Sequence, residues 1–207
     1  MPGLTSRKKR PLDRAVTTLR DAKLIIIATE GSLTEKIYFE SFRLTNVQVR
    51  VLPSEDGKSS PQHVLENAQV YKDKFDWGDG DELWLVIDVD RWPAATLSEV
   101  AAITTAARIG LAVSNPSFEL WLALHLDVDL PATVNNESLV THLRLQLGSY
   151  NKHKYDSETI LSGVGRAMER ASELDTSPQH RWPQSVGSRC YKIIRSFRAG
   201  RSGPGSA

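Results

Sequence analysis

Three acidic side chains follow two strongly apolar stretches of the sequence, each where the apolar stretch ends. Glu30 comes directly after residues 23–29. Asp88 and Asp90 come directly after residues 83–87. If the two stretches are neighbouring parallel strands, these carboxylates meet at one edge of a sheet, where ligands bind. Because three carboxylates repel one another unless a positive charge lies among them, the spacing predicts one or two Mg²⁺ (or Mn²⁺) ions and either metal-assisted phosphoryl transfer or phosphodiester hydrolysis.

Two further glutamates are candidate metal ligands, and each has a structural alternative. Ser32 and Glu35 have the spacing of a capping box, and the sequence favours that interpretation of Glu35 over a ligand role. Glu119 lies in the first turn of an apolar helix that opens at Asn115-Pro116, where its charge favours the helix N-terminus. A carboxylate among apolar side chains costs free energy unless it is paired, so a metal or a basic partner is the alternative. His125 is predicted to be a core histidine.

Basic side chains are concentrated at the two ends of the chain, although the formal net charge is only +1. Residues 1–23 carry seven basic and two acidic groups and residues 181–207 carry six basic groups and no acid, which leaves −10 for the residues between. Basic ends on an acidic body suit a central metal and a peripheral polyanion. The cations expected to hold a nucleic-acid backbone, without reading its sequence, are Arg91, Lys152, Lys154, Arg189, Lys192 and Arg195.

Strands and helices alternate along the first half of the chain and position these side chains. Apolar and β-branched patterns predict strands at 23–29, 47–52, 83–87 and 110–113, with helices between them. This alternation predicts an α/β fold with a mostly parallel four-stranded sheet flanked by helices. Beyond residue 113 the pattern predicts a helical C-terminal half, with helices at about 117–126, 136–147, 157–174 and 184–198.

Length and composition predict one domain and exclude several classes of protein. Within 207 residues we expect a basic N-terminal tail (1–22), a single domain (23–199) and a flexible Gly/Ser tail (200–207). The domain divides into an α/β core (23–113) and a helical half (114–199). A single cysteine, Cys190, excludes a disulfide framework and a multi-cysteine zinc site. No apolar run approaches the roughly 20 residues of a membrane span, so we expect a cytoplasmic protein without a membrane partner.

Three motifs resemble the signatures of the RloB family. Residues 30–39, EGSLTEKIYF, resemble the first signature, EGxxTExxYF. Residues 88–91, DVDR, resemble the second, and residues 115–125, NPSFELWLALH, are similar to the third, NPxFExWLLLH. The first and third motifs are specific, and the likeness covers nearly the whole chain from about residue 22.

The resemblance implies a Toprim-like fold, the metal-binding core of topoisomerases, DnaG-type primases and OLD-type nucleases. By this resemblance Glu30 matches the Toprim glutamate, a general acid/base or metal ligand, and Asp88 and Asp90 match the metal-binding pair. Glu35 falls where OLD-type nucleases place a further acid for a second metal. Residues 91–93 are Arg-Trp-Pro and not the Arg-Glu-Gly of topoisomerases, and no catalytic tyrosine can be assigned, which argues against topoisomerase chemistry.

The expected function is that of a Mg²⁺-dependent Toprim-type nuclease acting on DNA or RNA, with Glu30, Asp88 and Asp90 as its catalytic residues. The family occurs around restriction–modification and abortive-infection loci, often beside an AAA- or ABC-type ATPase, which implies an antiphage effector with a partner ATPase. One alternative is a non-catalytic Toprim-like module that binds nucleic acid or a nucleotide or regulates a partner. Another is a glycosyltransferase that uses Asp-x-Asp for a nucleotide diphosphate, although that mechanism does not require Glu30-Gly31.

Overall fold

The computed structural model describes residues 10–11, 22–54 and 59–199, so the predicted tails at 1–22 and 200–207 lie almost wholly outside it. In chain order the strands are β1 (Arg10–Pro11), β2 (Lys23–Thr29), β3 (Val47–Pro53), β4 (Phe75–Asp76), β5 (Glu82–Asp88), β6 (Gly110–Asn115) and β7 (Gly187–Ser188). The helices are α1 (Thr34–Glu40), α2 (Pro61–Lys74), α3 (Ala94–Ala106), α4 (Phe118–Ala123), α5 (Asn136–Gln146), α6 (Ser157–Ser162), α7 (Val164–Leu174) and α8 (Cys190–Ala199). In the part of the chain described, none of these helices has the length and apolar character needed to cross a membrane.

A five-stranded sheet in the order β3-β2-β5-β6-β7 forms the centre of the fold. The four strands predicted from the sequence are parallel to one another, and a fifth, the short β7, is antiparallel to β6. β1 and β4 form a separate parallel pair that the sequence pattern did not predict. The predicted α/β fold with a mostly parallel sheet is therefore confirmed, and the architecture is consistent with a Toprim-like fold.

Helices cover both faces of the sheet, which explains why β2 is apolar throughout. Ile25 and Ile27 point into a core formed with α1, α4, α5, α6, α7 and α8. Leu24 and Ile26 point to the other face, against α2 and α3. Successive side chains of a strand alternate between faces, so a sheet buried on both sides requires an unbroken apolar run. Each of these four side chains is essentially inaccessible to solvent, and burial of each contributes about 1.5–3 kcal/mol.

The register of β2 against β5 places the two acidic motifs side by side. Thr29 pairs with Val86, and the backbone N–H of Glu30 donates to the carbonyl oxygen of Val86 at 3.1 Å. Asp88 is the last residue of β5, two positions beyond Val86. The two strands are therefore neighbours, as the sequence argument required, and Glu30 and Asp88 leave the sheet at the same edge.

The predicted helix at 157–174 is divided in two by Gly163, which lies between α6 and α7. A Cβ atom on Gly163 would lie 2.0 Å from the carbonyl oxygen of His125. The close approach of two backbones, which periodicity does not reveal, therefore separates these helices. The predicted helix at 136–147 is confirmed, ending one residue earlier as α5.

The predicted helix at 184–198 begins only at Cys190. Gly187 and Ser188 form β7 instead, and Ser188 pairs with Ser114 of β6. The apolar spacing of this region is typical of a helix, but the edge of β6 offers backbone groups that need partners, and β7 supplies them. Helix formation is thus delayed until the chain has left the sheet.

The helix predicted at 117–126 is shorter than expected, because it runs from Phe118 to Ala123 and its N-cap residue is Ser117. Asn115, which we expected to open this helix, is the last residue of β6. Its side-chain amide donates to the carbonyl oxygen of Pro183 at 3.1 Å and so joins β6 to the segment before β7.

Replacing Gly163 by alanine is expected to lower the free energy of unfolding by about 1–3 kcal/mol, because the new methyl group overlaps the backbone of His125. Gly165, near the start of α7, is the matched control, since a Cβ there would meet nothing within 4 Å. Gly165→Ala is expected to raise stability by roughly 0.5–1 kcal/mol through helix propensity. Urea denaturation of both variants measures the difference, and equal shifts would contradict the close-approach explanation.

Candidate functional site

One cavity at the carboxyl edge of the sheet contains every carboxylate that the sequence analysis singled out. Its volume is about 280 Å³. The acidic side chains that line it are Glu30, Glu35, Asp88, Asp90 and Glu119. The lysine and arginine side chains that line it, within the described residues, are Arg91 and Lys152. Five acids against two cations leave the cavity negatively charged when all of them are ionised.

Glu30 is buried at the end of β2 and is held at both carboxylate oxygens. Its Oε2 accepts a hydrogen bond from the backbone N–H of Asp88 at 3.1 Å. Its Oε1 accepts one from the indole Nε1–H of Trp92 at 3.0 Å. Burial raises the pKa of Glu30, and these two hydrogen bonds oppose that rise without cancelling it. In the sequence, Trp92 stands out only as a departure from topoisomerases, so this contact was not predicted.

Asp88 carries a buried side-chain oxygen, Oδ1, that has no hydrogen-bond partner within the described residues. Burial is the largest cause that raises the pKa of Asp88 well above its ordinary value, and repulsion follows from four carboxylates, which are Glu35, Glu30, Glu119 and Asp90. An unpaired buried carboxylate is costly and uncommon in folded proteins. A divalent cation is a partner that would satisfy both the oxygen and the surrounding charge, so the donor set fits Mg²⁺ or Mn²⁺.

Glu35 does not form the capping box that the sequence favoured. α1 has Leu33 as its N-cap residue and no side-chain cap. Glu35 Oε1 instead accepts the backbone N–H of Gly31 at 3.1 Å, and a Cβ at Gly31 would lie 2.1 Å from Glu35 Oε2. Burial, with repulsion from Glu119 and Glu30, raises the pKa of Glu35 to about 7. Glu35 therefore belongs to the group of cavity carboxylates.

Glu119 is paired with a basic residue, Lys152, which is one of the two partners expected for a carboxylate buried in an apolar helix. Lys152 Nζ lies 2.7 Å from Glu119 Oε1, and Ser117 Oγ donates to Oε2 at 2.9 Å. Burial by itself would raise the pKa of Glu119, but the ion pair with Lys152 and the hydrogen bonds from Lys152, Ser117 and the backbone together outweigh it, and the pKa is lowered. Lys152 is placed by a tight turn whose backbone is anchored to α1, because Thr34 Oγ1 donates to the carbonyl oxygen of Lys152 at 2.9 Å.

Asp90 lies beyond the end of β5 and is contacted by a residue that the sequence analysis did not identify. The side-chain amide of Asn136, the first residue of α5, donates to Asp90 Oδ2. Oδ1 of Asn136 is buried without a partner among the described residues. Arg91 Nε lies 3.9 Å from Asp90 Oδ2. No sequence signal marks Asn136, because it is separated from Asp90 by 46 positions.

Of the six predicted nucleic-acid contacts, Arg91 and Lys152 line the cavity. Lys154 lies on the same turn as Lys152 and is exposed beside it, lining an adjacent recess. Lys192 and Arg195 lie on α8, which packs against α7 and β6 and contributes no side chain to the cavity. Both stack on the ring of Tyr191 instead.

Arg189 does not fit the predicted nucleic-acid role, because it is only 3% exposed. Its guanidinium forms an ion pair with Asp175 at 2.9 Å, and it also donates to the carbonyl oxygens of His180 and Ser177. The periodic spacing of the C-terminal basic residues gave no indication of this long-range partner. The prediction for Arg189 is therefore wrong. Its side chain holds the segment before α8 in place, and its charge is paired with Asp175 and not available to a ligand.

His125 is a buried core residue, in agreement with the sequence interpretation. Its Nδ1 contacts the carbonyl oxygen of Trp121 at 2.8 Å and its Nε2 contacts the hydroxyl of Tyr38 at 3.0 Å. Burial lowers the pKa of His125 to about 4, so the imidazole is neutral at pH 7.

The carboxylates share one cavity but do not yet form a closed ligand shell. Within residues 22–54 and 59–199, no three acidic, histidine or cysteine side chains converge at metal-ligand distance. Glu30 faces Trp92 and Glu119 faces Lys152, so hydrogen-bond donors and a cation occupy part of the space between the acids. Binding of an ion would therefore require these side chains to close around it.

The raised pKa of Glu35 predicts a pH-dependent loss of stability in the presence of a chelator. The folded protein holds this proton more tightly than the unfolded chain, so the free energy of unfolding falls as pH rises from 4.5 through about 7. Glu35→Gln keeps an oxygen for the N–H of Gly31 and is expected to make the fall shallower. Glu40→Gln, an exposed substitution on the same helix, should leave the decrease of the free energy of unfolding with pH as in the wild type. Urea denaturation at several pH values measures this decrease, and the same pH dependence for all three proteins would contradict the argument.

A scan against protein-family models matches residues 25–197 to the family described as RloB-like protein. Neither the curated proteins nor the solved structures that were searched give a match. The matched range contains all five cavity carboxylates and both strand ends that carry the acidic motifs. Because the match spans most of the chain and includes the three motifs that carried the resemblance, this protein belongs to the RloB family.

Proposed function

We propose that the protein is a nuclease that hydrolyses phosphodiester bonds of DNA or RNA with Mg²⁺ or Mn²⁺ as cofactor. The observation that carries the proposal is the buried, unpartnered Oδ1 of Asp88, which lies in an open cavity among four other carboxylates. Negative charge of this density, at the carboxyl edge of a parallel sheet, favours a divalent cation and a phosphate ligand over a neutral substrate.

Asp88 and Asp90 would hold a metal ion, and Glu30 would bind a second ion or move the proton of the attacking water. Glu35 and Glu119 line the same cavity and complete the set of oxygen ligands available for one or two ions. When bound, such an ion polarises a phosphate oxygen and lowers the pKa of a water molecule.

In this proposal the described cations of the cavity would hold the phosphate backbone beside the acids. Lys152 puts its ammonium group inside the cavity, 2.7 Å from Glu119. Arg91 is largely exposed at the rim, and Lys154 extends the positive surface outward from the same turn as Lys152. Contacts of this kind orient a nucleic acid without reading its bases, so we expect little sequence preference from them.

The biological setting is proposed from family membership. RloB-like proteins are expected around restriction–modification and abortive-infection loci, so we propose an effector in antiphage defence, located in the cytoplasm, that works with an AAA- or ABC-type ATPase. A partner could also release an activity that is latent in the isolated chain, so activity is best measured with and without an ATPase encoded beside it.

A second candidate function is a non-catalytic module that binds nucleic acid or a nucleotide, or regulates a partner. It is favoured by the engagement of both oxygens of Glu30 with N–H donors, and by the lack of three converged ligands among the described residues. Metal binding without turnover, measured alone and with the partner ATPase, would support this function over the nuclease.

Replacing Asp88 by asparagine is expected to raise the melting temperature in a chelator and to abolish the stabilisation that Mg²⁺ gives the wild type. The change removes a buried charge that four carboxylates repel, and it also removes the central metal ligand. Asp129→Asn removes an exposed charge from the loop between α4 and α5 and should change neither property. A lower melting temperature for Asp88→Asn in the chelator would contradict the electrostatic argument.

Cleavage of supercoiled plasmid DNA and of tRNA tests the nuclease directly. With Mg²⁺ or Mn²⁺ the wild type is expected to cut at least one substrate, and Asp88→Ala to lose at least a hundredfold in rate, because it lacks a metal ligand. Asp129→Asn serves again as the matched surface control. Equal cleavage by the wild type and Asp88→Ala would show that the activity arises elsewhere and would reject the metal-nuclease assignment.

A further inference from the structure

The indole of Trp92 contacts Glu30, one of the buried acidic side chains of the cavity. Its Nε1–H donates to Glu30 Oε1 at 3.0 Å, while the backbone N–H of Asp88 donates to Glu30 Oε2 at 3.1 Å. The first donor is the side chain of Trp92 and the second is part of the backbone of β5. Because each donor holds a different oxygen, the two hydrogen bonds together set the orientation of the Glu30 carboxylate.

The chain around Trp92 holds the indole firmly in this position. The backbone N–H of Trp92 closes a turn onto the carbonyl oxygen of Val89 at 3.2 Å, and α3 begins two residues later at Ala94. The indole ring packs against the apolar layer between the sheet and the helices α2 and α3. A donor anchored in this way can orient a carboxylate with little further loss of side-chain entropy.

A second indole–carboxylate pair, at the opposite end of β5, differs from the pair of Trp92 and Glu30 in having a cation beside the carboxylate. Trp84 Nε1–H donates to Glu82 Oε2 at 2.7 Å, but Glu82 is also paired with the ammonium group of Lys23. The charge of Glu82 is therefore compensated by a cation. Among the described residues Glu30 receives hydrogen bonds only from uncharged donors, so no ion pair at hydrogen-bond distance compensates it, and Arg91 attracts it only from farther away.

We propose that Trp92 is a positioning residue for the metal site, orienting the carboxylate of Glu30 while leaving its charge available to a cation. The inference rests on the proposed function, since it assumes that the cavity binds a divalent ion. Each carboxylate oxygen can accept a second interaction beside its N–H bond, so the hydrogen bond and metal ligation are compatible. Residues that orient a metal ligand in this manner commonly change metal affinity by 10–100-fold when they are replaced.

The test is direct measurement of Mn²⁺ binding to the full chain without nucleic acid, by the electron paramagnetic resonance signal of free Mn²⁺. Trp92→Phe is expected to weaken binding about tenfold. Trp84→Phe removes the matched indole donor from Glu82 and should leave Mn²⁺ affinity within twofold of the wild type. If the two variants weaken binding equally, the effect is a general loss of stability and the proposal fails.

A double-mutant cycle asks whether Trp92 acts through Glu30. In a Glu30→Gln background, Trp92→Phe is expected to cause no further loss of Mn²⁺ affinity, because the charged ligand that it orients is already gone. A further tenfold loss in that background would overturn the proposal. A wild type that binds no Mn²⁺ would instead remove the proposed metal site, so the two failures are distinguishable.

A measurement on the unmutated protein keeps the proposal testable should Trp92→Phe fold poorly. In protein labelled with ¹⁵N-tryptophan, the indole N–H resonance of Trp92 is expected to shift during a Mg²⁺ titration, because its acceptor becomes a metal ligand. The resonance of Trp84, identified by its loss in Trp84→Phe, should stay in place. A titration that saturates the protein and moves neither resonance would overturn the proposed role of Trp92.

Discussion

Repulsion between carboxylates that cannot move apart is the constraint on which the site depends. The ends of β2 and β5 carry Glu30 and Asp88, and the register between the two strands holds them at one edge of the sheet. That sheet is covered by helices on both faces, so neither strand can shift without opening a packed core. The charge must therefore be compensated locally, by hydrogen bonds, by Lys152 or by a bound cation.

The molecule compensates these charges unequally. Glu119 is neutralised by Lys152 at 2.7 Å, and Glu30 is stabilised by two N–H donors. Asp88 has one buried oxygen without a hydrogen-bond partner among the described residues. Compensation therefore decreases from Glu119, which has an ion pair, through Glu30 to Asp88, which has an unpaired oxygen. An added positive charge would gain the most free energy beside Asp88.

The sequence predicted what depends on local pattern and failed where distant residues meet. The strands at β2 and β5 and the acids at their ends follow from apolar runs that stop abruptly, so Glu30 and Asp88 could be found without a structure. The capping box at Glu35 was wrong because burial in the cavity outweighed a local helix preference. The nucleic-acid role predicted for Arg189 was wrong because its partner, Asp175, lies 14 positions away in the sequence. The contact of Trp92 with Glu30 was missed for the same reason, since 62 positions separate the two residues.

The chemical character of the donors bears on the choice between an enzyme and a binding module. A structural network would normally pair its buried acids with arginine or lysine, as Asp175 is paired with Arg189 elsewhere in this protein. At Glu30 the donors are an indole and a backbone N–H, which fix orientation without removing charge. At Asp90 the donor is an amide, and the only cation near it among the described residues is the largely exposed Arg91, 3.9 Å away. Acids that are oriented by uncharged donors keep oxygen atoms of the kind that bind divalent cations, which is the premise of the proposed metal site. A module that binds only a polyanion would gain nothing from retaining that negative charge, whereas a protein that binds a cation there would gain from it with or without catalysis, so turnover and not metal binding separates the two proposed functions.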